Sequence, residues 1–87
     1  MRIISQNGNF ECDYEDVALY MIDGTIMGVL SKVQTEDKFF IAEYDHEDEA
    51  KIELSMLHQT YVKLEDGVGA YRFTAKETYR KARKMKE

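Results

Sequence analysis

Two dipeptides, Asn7-Gly8 and Asp23-Gly24, do most to limit how this chain can fold. Both positions of a type I′ turn need φ > 0, which Gly adopts freely and which Asn and Asp tolerate. Each dipeptide lies between runs rich in apolar residues, so each predicts a two-residue β-hairpin. The first pairs residues 2–6 with residues 9–12, and the second pairs Val17–Ile22 with Thr25–Leu30. The chain has no proline, so its turns must come from Asn, Asp and Gly, without a rigid linker or a polyproline segment.

Val17-Ala18-Leu19-Tyr20-Met21-Ile22 is a near-continuous apolar run, which predicts a strand buried on both faces or central in its sheet. Gly28 inside the following strand predicts a bulge or a close approach of another chain segment. Residues 32–38 read as a loop and residues 39–44 as the next strand. A helix follows, with Asp45 as N-cap and Glu47, Asp48 and Glu49 in its first turn, facing the positive end of the macrodipole. Ala50, Leu54, Leu57, Tyr61 and Leu64 recur at helical spacing and form the stripe that packs on the sheet. Asp66-Gly67 and Gly69 close the helix, and residues 70–73 make a last strand. Thr74-x-x-Glu77 has the form of a capping box and opens a second helix. Its apolar edge, Ala75, Tyr79, Ala82 and Met85, is thin, which predicts a partly docked or fraying element.

The expected fold is therefore α+β. A small, mostly antiparallel sheet of five to six strands is packed by one main helix at about residues 46–64, with a short C-terminal helix added. Eighty-seven residues support one small core, so residues 1–75 read as a single domain and residues 76–87 as a basic helical tail. No run approaches the roughly 18 apolar residues of a membrane span, and the N-terminus lacks the apolar stretch of a signal peptide. A single cysteine, Cys12, fits a reducing compartment, and the expected location is the cytoplasm.

Charge is divided along the chain. Residues 1–75 carry six Lys and Arg against fifteen Asp and Glu, a balance of −9. Residues 76–87 carry six against two, a balance of +4, and the whole chain sums to −5. An acidic body of this kind disfavours nonspecific phosphate binding over most of the surface. The basic segment points to an electrostatic partner on the chain itself, on a sister chain or on a polyanion.

The opening Met1-Arg2-Ile3-Ile4-Ser5-Gln6-Asn7-Gly8 resembles the start of a family of small uncharacterised proteins of Gram-positive bacteria and their phages, which begin with an M-R-I-x-S-Q-[ND]-G hairpin. Residues 42–50, Ala-Glu-Tyr-Asp-His-Glu-Asp-Glu-Ala, look like that family's strand-to-helix junction, and Tyr71-Arg72-Phe73 is similar to its closing aromatic strand. The family often has a Pro after that strand, where this chain has Thr74 and a basic tail. The resemblance implies a fold and a mobile-element setting, and no activity.

No set of residues points to catalysis or to a cofactor. On one helix His46 and His58 would lie about 18 Å apart at 1.5 Å per residue, too far to share a metal ion. Glu47, Asp48 and Glu49 fan around the axis, and their reading is an acidic first turn. Cys12 has no flanking signature of a nucleophile and reads as a small buried hydrophobe. Gly67-Val68-Gly69 lacks the Lys of a phosphate loop and the third Gly of a dinucleotide fingerprint.

The remaining candidates are surfaces. Ile52 and Met56 lie nearly opposite the Ala50/Leu54/Leu57 stripe and, with Phe39 and Phe40, are candidate interface residues of a homodimer. Lys76, Arg80, Arg83 and Lys84 share one helical face and are candidates for contact with a polyanion or an acidic patch. The expected function is a non-enzymatic protein–protein interaction module of phage or mobile-element type, homo-oligomeric and without a cofactor. The alternative is a nucleic-acid-binding accessory protein that uses its basic helix.

Overall fold

The two-residue hairpin at Asp23-Gly24 forms, but φ is positive at Asp23 alone and not at Gly24, so the turn is not the type I′ turn expected from the sequence. Asp23 takes φ +54°, and Ile22 pairs with Thr25 across two intervening residues. A Cβ on Gly24 would collide with the carbonyl oxygen of Tyr44, whose own N–H donates to the Gly24 carbonyl at 2.8 Å. Close backbone approach is what requires glycine here. The computed structural model describes residues 1–31, 37–66 and 68–86, and the loop predicted at 32–38 falls mostly outside them, as does Gly67.

Six strands and two helices follow in the order β1 (Arg2–Ile4), β2 (Glu11–Asp13), β3 (Val17–Ile22), β4 (Thr25–Leu30), β5 (Phe39–Glu43), α1 (Glu47–Lys63), β6 (Ala70–Arg72) and α2 (Lys76–Lys86). A single 3-10 turn, Tyr14–Asp16, leads into β3. The fold is α+β, but the strands do not make one sheet. They form two three-stranded sheets, ordered β2-β1-β6 and β3-β4-β5. The second sheet is wholly antiparallel, whereas β6 joins β1 in parallel. The sheets meet at Gln6. Its N–H donates to the Ile41 carbonyl at 2.8 Å, and its side-chain amide bonds both the N–H and the carbonyl of Glu43. A side chain completes the junction that a ladder would otherwise make, so the sheets stay separate.

Three further local expectations are corrected. The Asn7-Gly8 turn is not a two-residue hairpin: β1 and β2 are joined by residues 5–10, and only Gly8 among residues 5–9 takes positive φ, +77°. The Ser5 hydroxyl donates to Asn7 Oδ1 and accepts from the Phe10 N–H, and this side-chain bracing holds a wider loop. Asp45 is not the N-cap of α1. His46 occupies that position without a side-chain bond, and Asp45 is drawn to Arg80 instead. Finally, β3 is neither central nor buried on both faces. It is an edge strand.

The core lies where α1 crosses the second sheet and the first sheet closes its end. Ile26, Ile41, Ala42, Ala50 and Leu57 meet Ile3, Cys12, Tyr44 and Phe73, all nearly inaccessible. Gly28 gives the packed room that its position suggested, since a Cβ there would sit 3.0 Å from a Val17 methyl. The bulge is on the facing strand, where Ile41 is the extra residue between the Ile26–Ala42 and Met27–Phe40 pairs.

Candidate interaction surface

Antiparallel register assigns each side chain of the second sheet to a face. Val17, Leu19, Met21, Ile26, Gly28 and Leu30 share the face turned to α1, and those among them that are not fully buried pack against the core. Ala18, Tyr20, Ile22, Met27, Val29 and Phe40 share the other face. None of these six belongs to the core or to the side chains packed against it. Ile22 is 56% exposed and Phe40 38%. On this face, which also carries Thr25 and Glu43, Ala18, Ile22 and Phe40 are exposed while Tyr20, Met27 and Val29 are half-buried, and Lys38 Nζ lies 6.0 Å from the Tyr20 ring centre. The Tyr20 hydroxyl is buried and has no hydrogen-bond partner among the described residues.

The four residues named from the sequence as an interface do not come together. Phe40 lies on the outer face. Phe39 turns away from it and stacks on Phe10 with ring centres 4.6 Å apart, joining the two sheets. Ile52 and Met56, 46% and 43% exposed, lie on α1, which covers the opposite face of the sheet. Ile52 lines a shallow groove beside Tyr79, Ala82 and Arg83 of α2.

The basic helix is docked on the acidic end of α1. Arg80 makes two hydrogen bonds to Asp45, at 2.6 and 2.9 Å, and Arg83 bonds Glu49 at 2.6 Å and Asp48 at 3.2 Å. The guanidinium of Arg80 holds the Asp45 carboxyl below its usual range, and the carboxylates raise both arginines. Of the four cations named from sequence, Arg80 and Arg83 therefore face the body. Lys84 is exposed and Lys76 is half-buried.

Beneath these pairs lies a residue that the sequence pattern passes over. Glu53 is fully buried and accepts from the Tyr71 hydroxyl at 3.1 Å, the Thr74 N–H at 2.8 Å and the Tyr79 hydroxyl at 2.5 Å. The ring of Tyr79 meets Tyr44 edge-on at 5.4 Å, and the Tyr44 hydroxyl donates to the Thr74 carbonyl. Burial, reinforced by the Glu53 charge, pushes the Tyr44, Tyr71 and Tyr79 hydroxyls well above the usual tyrosine range. One carboxylate thus joins α1, β6 and α2. Its signal in the sequence was its position, three residues after Ala50 and four before Leu57, inside the buried stripe.

Other polar groups make structural contacts. The His58 ring lies 3.4 Å from the Tyr14 hydroxyl, Tyr14 stacks on Tyr61, and Tyr61 donates to Glu15 at 2.6 Å. Burial raises the Cys12 thiol. Among the described residues there is no cluster of three or more His, Cys, Asp or Glu placed to hold a metal ion, and no helix is long and apolar enough to cross a membrane. No protein-family model, curated protein or solved structure matches the chain.

Proposed function

We propose that this chain is a non-enzymatic interaction module that associates with itself through the β3-β4-β5 sheet. One observation carries this reading: the outer face presents Ala18, Tyr20, Ile22, Met27, Val29 and Phe40, and none of them packs against the core. Apolar surface of this kind favours association, because covering it removes apolar area from water. A phage or mobile-element setting rests on the N-terminal resemblance, and the genes that flank this one test it.

The nucleic-acid reading of the tail is the weaker one. Arg80 and Arg83 already face carboxylates at 2.6 Å, so a polyanion would have to displace them. Sedimentation from about 10 to about 200 µM tests the module reading, with growth from the 10.2 kDa protomer to a discrete oligomer expected. A monomer throughout that range refutes it.

A further inference from the structure

The four sheet edges are not treated alike. β2 and β6 are three residues long, and both carry charge, from Glu11 and Asp13 on one and Arg72 on the other. The β5 edge is closed by Gln6, which bonds the backbone of Ile41 and Glu43. β3 is six residues, Val-Ala-Leu-Tyr-Met-Ile, with no charge and no proline. Among the described residues its backbone bonds only to β4. Proteins normally blunt such an edge with charge, bulges or cover, because bare strand backbone pairs with any matching strand. An edge left bare among protected ones marks a pairing site.

From this geometry we infer that β3 pairs with β3 of a second copy, antiparallel about a two-fold axis at Leu19, so that the two β3-β4-β5 sheets become one continuous sheet. The inference rests on the self-association reading and places the contact at the β3 edge, a contact distinct from cover of the outer face. The Ser31 N–H donates to the Asp16 carbonyl, so Asp16, Ala18, Tyr20 and Ile22 are the residues that bond across to β4. Val17, Leu19 and Met21 then point their N–H and C=O groups away from β4, where no backbone group of the described residues bonds them. Centred on Leu19, the pairing sets Leu19 against Leu19 and Val17 against the second copy's Met21. Every outward N–H and C=O of these three residues is used in both copies.

Two side-chain features suit that register and a second copy in particular. A cavity of about 280 Å³ lies between β3 and α1, lined by Tyr14, Val17, Leu19, Leu54 and Leu57. The second copy's Met21, half-buried against its own core, is set opposite Val17 on the same face at the mouth of this cavity, and its unbranched thioether suits irregular apolar space there. On the outer face Ala18 is set beside the second copy's Tyr20, a small residue next to a large ring. The same register brings Glu15 opposite the second copy's Asp23 at both ends, so salt should tighten the pairing by screening them.

Amide hydrogen exchange by NMR reads this contact residue by residue. In dilute protein Ala18, Tyr20 and Ile22 are protected by β4, whereas Val17, Leu19 and Met21 exchange freely. In concentrated protein the second set should slow at least tenfold, while the first set changes little. Sedimentation of Ala18→Glu and Leu19→Pro, neither of which removes a bond to β4, should show monomers with the wild-type circular dichroism. Phe40→Lys, on the outer face away from the edge, should remain associated.

Association lost in Phe40→Lys but kept in Ala18→Glu would overturn the edge pairing and leave self-association standing through the outer face. A wild-type protein that stays monomeric would overturn both. If Leu19→Pro fails to fold, the exchange pattern and Ala18→Glu still decide. Uniform protection of Val17, Leu19 and Met21 at every concentration would also overturn the edge pairing.

Discussion

Replacing Glu53 by alanine removes an acceptor that three donors share. The Tyr71 hydroxyl, the Thr74 N–H and the Tyr79 hydroxyl all bond this carboxylate, inside a site where Glu53 has no exposed surface. Hydrogen bonds to a charged group contribute about 1.5–3 kcal/mol each, a gross loss of roughly 4–9 kcal/mol. Burying the carboxylate costs several kcal/mol in desolvation, and alanine recovers that cost. The net loss should be about 3–4 kcal/mol, a large part of the roughly 4–13 kcal/mol expected for a domain of this length. Glu53→Gln is the informative control. Its amide oxygen still accepts from Tyr71 and Thr74, and the Tyr79 hydroxyl can turn to accept from the amide nitrogen, so about 1–2 kcal/mol should be lost. Urea unfolding followed by circular dichroism measures both. Should Glu53→Ala cost less than about 1 kcal/mol, or no more than Glu53→Gln, the carboxylate is not what joins α1, β6 and α2.

Other perturbations probe the remaining elements. Arg80→Ala combined with Arg83→Ala should leave the sheets intact but open α2 to trypsin, read as faster cleavage at Lys81 and Lys84 than in the wild type. Gly24→Ala should cost at least the 1–3 kcal/mol typical of overpacking, because the new methyl meets the rigid Tyr44 carbonyl, whereas Gly28→Ala meets side chains and should cost less in thermal unfolding. At alkaline pH stability should fall. Tyr44, Tyr71 and Tyr79 titrate above the usual value when folded, so the unfolded chain releases these protons first. Their stabilisation is complete below about pH 10 and is lost as pH rises beyond it, at about 1.4 kcal/mol per pH unit for Tyr44. Tyrosinate absorbance that rose for all six tyrosines near pH 10, before any unfolding, would contradict this.

Local chemistry was the legible part of the sequence. The Asp23-Gly24 hairpin, the extent of α1 and the presence of a helix over the basic segment follow from turn residues, an apolar period and local composition, each acting over a few residues, although α2 opens at Lys76 after Ala75 and not with Thr74 as its cap. What depended on distant partners was not legible. Six consecutive apolar residues in β3 suggest burial on both faces, yet nothing in that run tells a covered strand from an edge. Asn7-Gly8 carries the hairpin signal, but the Ser5 hydroxyl bracing Asn7 and Phe10 widens the loop. Asp45 has the chemistry of a cap, and Arg80, 35 residues away, takes it. Glu53 was hidden for the opposite reason. A carboxylate is assigned to the surface unless its donors are known, and these donors come from β6, α2 and the segment between them.

The division of charge bears on how copies of this chain can meet. In the folded chain Arg80 and Arg83 cover Asp45, Asp48 and Glu49, carboxylates at the N-terminal end of α1, where the macrodipole already favours negative charge. Much of the attraction between the acidic body and the basic segment is therefore satisfied within one protomer. The outer face and bare edge of β3-β4-β5 are mostly apolar or backbone, and pairing them meets net repulsion between two acidic protomers of −5 each. Association should then hold or strengthen as NaCl rises from about 50 mM to about 500 mM, because salt screens that repulsion and leaves apolar and backbone contacts nearly untouched. A complex held by α2 on a polyanion should behave in the opposite way, weakening steeply over the same range as phosphate counterions return. Sedimentation across that series separates the two. An oligomer that dissociates as salt rises would place the contact on the charged helix and refute assembly through the sheet.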